Sequence, residues 1–414
     1  MTKVAVRERS SATVTGAFWK DIFLSPGFQD LADRKILWAR IGKHESWTIG
    51  AGGYVGRALF GDIEIEAREK VAGAFTAMAQ VLTPRAFNLA RAESPVIFAE
   101  APHTVLVRMF LAATRTYLSG AKQVEYQTME ETGAYACGRL NIPRTAALRA
   151  RGTRHKVAFR RTLLSDDLPL NRAIYLALAD VIAGFGSGPL RELVTNALTL
   201  RAGFAECSYS TTPLNRIESI AVTLEEAVQS GRRREVSEVA ALAGAVLQGA
   251  TLSDDRAHDS AAPRSWFLNL ENLFERVVRE CVARALVGKA LVSGPMERPP
   301  LFPTISDRFR ANPDIVVRCA GETLILDAKY KTLDDWPSTG DVHELLAHSV
   351  SFNASKAALI YPSDSSFLVR SLGKAKTGCE VWIFSIPFTD LSQAVGRALQ
   401  ELGLPVAAEL PAAA

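Results

Sequence analysis

Two β-rich runs, Ile315–Arg318 and Thr323–Ala328, flank the dipeptide Ala320-Gly321. Branched and apolar residues on either side of such a pair read as a β-hairpin. The second run begins Thr323-Leu324-Ile325-Leu326, apolar enough for a sheet interior, yet it ends in Asp327-Ala328-Lys329. Residues two apart on a strand point to one face, so the carboxylate and the ammonium share it. Centring the turn between Ala320 and Gly321 puts Asp314, in Pro313-Asp314, across from Asp327. Directly opposed residues have Cβ atoms about 5 Å apart. Charges at the end of a buried strand are costly unless they pair, bind a metal or meet solvent in a cleft.

Two carboxylates that close repel as bare anions, and a divalent cation resolves the conflict. Oxygen-only ligands point to magnesium or manganese and away from zinc. A hard metal on two aspartates with a lysine beside it suits phosphodiester hydrolysis: the metal activates water, and Lys329 orients it and stabilises developing charge. The other reading of the same residues is a surface hairpin with an Asp327–Lys329 ion pair, and spacing alone does not separate the two. The preceding helical stretch carries Glu271 and Glu275, four apart and on one face. Glu275 can reach the site as a third metal ligand or an outer carboxylate, or it pairs with Arg279. The following helical stretch offers Asp341, His343, Glu344 and His348. Glu344 and His348 line the cleft, or Asp341 caps the helix and the others form a solvated face. Histidines five apart do not make the HExxH zinc arrangement.

At 414 residues the chain is long enough for two or three domains. No apolar run reaches the roughly 18 residues of a membrane span, and the charged start, Lys3, Arg7, Glu8 and Arg9, is no secretory signal. Five scattered cysteines without a CxxC pair fit reduced thiols in a cytoplasm. The net charge of +4 is a weak indicator, but Arg139, Arg144, Arg149, Arg151, Arg154, Lys156, Arg160 and Arg161 fall in one segment without Asp or Glu. Such a segment holds phosphates, with Arg149, Arg151, Arg154 and Lys156 as the DNA-binding candidates, or it meets an acidic protein partner. The pattern divides into an α+β region at 1–130, a basic, helical region at 131–250, a polar linker at 251–265 and an α/β layered domain at 266–405. Helical periodicity is expected over Glu66–Ala79, Val105–Leu118, Pro169–Ile182, Leu190–Ala202 with Pro189 at its start, Arg234–Leu247, Trp266–Val292, Asp341–Phe352 and Leu391–Leu402.

The ordered blocks NLFERVV (272–278), NPDIVV (312–317), LILDAKYK (324–331), DVHELLAHSVSF (341–352) and ALIYP (358–362) resemble the McrC family, the nuclease subunits of McrBC modification-dependent restriction systems. GRLNIPRTAALRARG and DDLPLNRAIYLAL extend the likeness to the middle region. The resemblance implies a PD-(D/E)xK nuclease domain, a mixed sheet flanked by helices, with Asp314 and Asp327 as metal-binding acids, Lys329 as the catalytic lysine and Glu275 as the helix acid. It implies magnesium-dependent cleavage of modified double-stranded DNA in anti-phage defence. It also implies docking of the N-terminal region to a McrB-type AAA+ GTPase ring, the GTP being bound by that partner. The chain has no GxxxxGK[ST] sequence for binding the nucleotide by that route. Where the family carries Gln and Tyr on the helix after the hairpin, this chain has Glu344 and His348.

Overall fold

The computed structural model describes residues 2–406 apart from 43–45, 95–99, 185–190, 205–232, 252–264, 295–297, 303, 305–307, 309, 334 and 365. Pro189 and nearly all of the expected linker lie outside these. Two compact units form, Met1–Leu106 with Gly249–Ala414, and Val107–Gln248.

In the first unit the N-terminal part runs β1 (Thr2–Arg7), β2 (Ser11–Thr15), α1 (Trp19–Leu24), α2 (Pro26–Asp33), β3 (Leu37–Ile41), β4 (Ser46–Ala51), β5 (Tyr54–Phe60), β6 (Ile63–Arg68), α3 (Ala74–Leu82) and α4 (Pro84–Glu93). Trp19, Phe23, Phe28, Ile49 and Ile65 form its core. The helix expected from Glu66 starts only at Ala74. Residues Glu66–Arg68 pair with β1 instead, and Gly73 turns the chain with φ 78°. Glu69 then accepts from the Gly73 and Phe75 amides at 2.8 and 2.7 Å, satisfying the open helix end.

Helix α5 (Pro102–Gly120) carries the chain toward the second unit. Near its start His103 is buried beside the Trp266 ring. Burial, with the nearby Arg57 and Lys3 charges, lowers its pKa to about 3. The unfolded chain takes up that proton near its ordinary value of 6.5 and the folded chain does not, so this contribution to stability, present above 6.5, is lost as pH falls toward 3. Urea midpoints of the native protein should therefore fall more steeply across that window than those of His103→Gln.

The second unit contains β7 (Glu125–Gly133), β8 (Arg139–Leu140), α6 (Ile142–Ala150), β9 (Val157–Ser165), α7 (Pro169–Gly184), α8 (Arg191–Ala202) and most of α9 (Arg234–Thr251). Its sheet, in the order β7-β9-β8, is antiparallel. Asn171 is fully buried and satisfied: its Oδ1 accepts from Tyr117 OH at 2.6 Å, and its Nδ2 donates to Gln123 O and Asp166 O at 2.9 and 2.7 Å. Asn171→Ala strands a buried hydroxyl and two carbonyls. The expected loss is about 2–4 kcal/mol, read from chemical unfolding.

The C-terminal part of the first unit holds β10 (Trp266–Asn269), α10 (Leu270–Ala285), β11 (Leu291–Ser293), β12 (Ile315–Cys319), β13 (Glu322–Ala328), α11 (Thr339–Ser351), β14 (Lys356–Ser363), β15 (Leu368–Lys374), β16 (Glu380–Pro387) and α12 (Leu391–Glu401). The single helix expected over Trp266–Val292 is three elements. Trp266–Asn269 pair with β5, completing the sheet β1-β6-β5-β10. The Asn269 side chain caps α10 by accepting from Glu271 and Asn272 amides, and Gly288 at φ 70° follows the helix end. The main sheet has the order β11-β12-β13-β14-β16-β15. β13, β14 and β16 are parallel neighbours, while β11, β12 and β15 join antiparallel, giving a mixed sheet. Its central strands are buried on both faces, which is why they read as continuous apolar runs.

Candidate active site

The hairpin has the expected register. Ile315 pairs with Leu326 and Cys319 with Glu322, around a two-residue turn in which Ala320 and Gly321 both have positive φ, 50° and 83°. Such a turn matches the strand twist and pins the pairing. Continuing the ladder one step beyond Ile315–Leu326 brings Asp314 opposite Asp327. The Asp314 Oδ2 accepts from the Ala328 amide at 2.8 Å, tying the two strands at that level. Asp327 lies on the same side of β13 as Ile325, which packs against Leu345 of α11.

Asp327 is 2% exposed. Lys329 Nζ sits 2.7 Å from its Oδ2 and 2.9 Å from Glu344 Oε2. Burial works against the charged form of Lys329, but Asp327 and Glu344 outweigh it and hold its pKa above the ordinary lysine value. Burial, then the charges of Asp327 and Glu275, push Asp314 up to about 8. Glu275 is raised by burial and by Asp327. Asp314, Asp327 and Glu275 thus crowd one place, and Lys329 and Arg279 do not bring the Asp314 and Glu275 carboxyls back to their ordinary range. That imbalance is what a divalent cation offsets.

Among the described residues no three acid, histidine or cysteine side chains form a ready-made cage. Asp314 and Asp327 supply a hard, oxygen-only pair, and Glu275 acts on it through its charge. Such a partial set suits magnesium, which keeps several of its waters. Glu275 makes no ion pair with Arg279. The Arg279 Nη1 points instead to Asp314 O, at 3.4 Å.

Helix α11 brings Glu344 onto Lys329, while His348 Nε2 is 3.9 Å from Glu344 Oε1. His348 is buried, its Nδ1 has no hydrogen bond among the described residues, and burial lowers its pKa. The cap offered as one alternative for Asp341 is supplied by Ser338, whose hydroxyl accepts from the Asp341 amide. Asp341 is buried instead, paired with Lys331 and accepting from Tyr361 OH at 2.7 Å. Sequence reading missed Lys331 and Tyr361. Lys331, two residues beyond Lys329, was the available signal.

The basic segment divides, in the second unit. Arg144 and Arg160 pair with Glu130, and Arg161 with Glu131. Arg149, Arg151, Arg154 and Lys156 are exposed and have no ion pair among the described residues. No described helix is long and apolar enough to cross a membrane.

No curated protein matches this chain. One solved structure, a refined half-complex from a tetradecameric assembly of Thermococcus gammatolerans McrB AAA+ hexamers with bound McrC, contains a similar chain: TM-score 0.58, 16% identity, covering 97% of this chain and 100% of that one. At that identity the likeness shows a shared fold. A second, the cryo-EM structure of the Thermococcus gammatolerans McrBC complex, gives TM-score 0.43 and 15% identity over 69% of this chain and 88% of that one. The family described as McrBC 5-methylcytosine restriction system component matches residues 49–362. With three quarters of its length so matched and its strands folding around the carboxylate pair, the chain belongs to the McrBC 5-methylcytosine restriction system component family.

Proposed function

We propose that this chain is the nuclease subunit of a McrBC-type system, a PD-(D/E)xK endonuclease that cuts modified double-stranded DNA. The observation that carries the reading is the pair of buried Asp327 and half-buried Asp314 with Lys329 beside it, intact in a member of a restriction family. When bound, a magnesium or manganese ion supplies Lewis acidity and a lowered pKa for ligated water. Asp314 and Asp327 hold the ion, and Glu275 adds negative charge that strengthens the site. Lys329 stays protonated, held by Asp327 and Glu344, and its ammonium offers a donor to the attacked phosphate and its developing charge. Exposed Arg149, Arg151, Arg154 and Lys156 contribute contacts to the DNA backbone, which raise affinity without reading sequence. The partner is an AAA+ GTPase ring of the McrB type, which binds GTP and chooses the site. The likeness to a chain from an assembly of McrB hexamers with bound McrC supports that pairing.

The test combines the purified chain, a McrB-type ring, GTP and DNA with or without 5-methylcytosine. Cleavage is expected only with modified DNA and magnesium, and chelation should stop it. DNA that stays intact under every metal while GTP hydrolysis rises would make the chain an activator without nuclease activity.

A further inference from the structure

Glu8 and Arg9 follow β1 directly, and each reaches an element that carries a candidate site residue. Glu8 is 2% exposed. Its Oε1 accepts from Tyr330 OH at 2.9 Å and from the Lys70 amide at 2.9 Å, while Oε2 is buried and has no hydrogen bond among the described residues. Tyr330 is the residue after Lys329. Its ring packs 5.6 Å from Phe274, the residue before Glu275, and both rings meet Phe388, at 6.3 and 6.0 Å.

Arg9 has φ 54°, a left-handed conformation that an arginine keeps only where its surroundings hold it. Its amide donates to Ala51 O and Gly52 O at 3.0 Å. Its guanidinium pairs with Glu271, four residues and one turn before Glu275. Gly53 makes room for that carboxylate, since a Cβ there would lie 2.8 Å from Glu271 Oε1. The backbone repeats the connection: β10 is a strand of the N-terminal sheet and runs straight into α10.

We propose that Glu8 and Arg9 are positioning residues through which the N-terminal sheet sets Lys329 and Glu275, by holding Tyr330 and Glu271. The inference rests on the nuclease reading above and concerns how that site is regulated. A buried carboxylate with one unbonded oxygen is a costly way to fill space, because an apolar side chain of similar volume avoids the desolvation penalty. The contact does have a directional effect, fixing the hydroxyl of the residue next to the site lysine. Movement of the N-terminal sheet therefore shifts the end of β13 and the start of α10 together.

Tyr330→Phe keeps the ring and removes the hydroxyl, Glu8→Leu removes the acceptor, and Glu8→Gln retains one. Magnesium-dependent cleavage by Tyr330→Phe and Glu8→Leu, assayed with the ring and modified DNA, should lose about ten- to a hundredfold in kcat, as for other outer-shell changes. The KM for DNA should be unchanged, Glu8→Gln should restore most of the rate, and the double variant should be no worse than the worse single one. A second readout is hydrogen exchange of the Lys329 amide, which bonds to Ile360 O at 2.8 Å. It should quicken in Tyr330→Phe by more than the change in global stability, read from the melting temperature, accounts for. Wild-type kcat and wild-type exchange in Tyr330→Phe would overturn the proposal. If the native chain cuts no DNA at all, the nuclease reading fails, and the exchange measurement still decides whether Glu8 holds this strand.

Discussion

Asp327→Asn is expected to lower magnesium-dependent DNA cleavage by about a thousandfold or more, some 4 kcal/mol of transition-state stabilisation. The side chain is 2% exposed at the end of a strand buried on both faces. Asparagine fills the same volume, and the fold should survive. What disappears is the second anionic oxygen set facing Asp314. Thermal melting gives a separate reading. Magnesium at a hundred times its Kd stabilises a one-site native protein by about 2.7 kcal/mol, and that upward shift should vanish in Asp327→Asn. A variant that cuts normally, or keeps the magnesium shift, would take the metal away from this residue.

Lys329→Met should also cost about a hundred- to a thousandfold in rate, as the loss of one charged donor at a reacting phosphate does, but its response to metal should be the reverse. Lys329 lies within 4 Å of both Asp327 and Glu344. Removing it leaves a buried carboxylate uncompensated, which costs about 3–5 kcal/mol. The metal-free variant should therefore melt early and regain more stability from magnesium than the native protein does. Equal magnesium shifts in the two proteins would mean that the lysine and the cation do not share the charge of Asp327.

The hairpin and its acids were legible because local chemistry determined them. Ala320 and Gly321 both take positive φ, which set the register, and the period of two along the strand placed Asp327 and Lys329 on one face. Helices α7 and α12 start where the periodicity predicts. Other features depended on partners far away in sequence. Trp266–Asn269 looked helical beside α10, yet they became a strand because β5, some two hundred residues earlier, offers an edge. The edge strand β15, Leu368–Lys374, breaks its three apolar residues with Arg370, Ser371 and Gly373 and has no long apolar run to mark it.

The site divides in the same way. Glu344 was a candidate on helical spacing, but its contact with Lys329 needed the packing of α11 on the sheet. Asp341 stood at the helix start like a cap, and lost that role to Ser338, which lies three residues earlier with its hydroxyl on the Asp341 amide. Nothing near residue 8 hinted that its carboxylate would bond to Tyr330. The basic segment looked free of acids because its partners, Glu130 and Glu131, lie on β7, just before it.

Anomalous diffraction from crystals grown with manganese locates the metal itself. One strong peak is expected within coordination distance of both Asp314 and Asp327, absent from Asp327→Asn crystals grown alongside. A peak elsewhere, or none beside the two aspartates at saturating manganese, would contradict that placement.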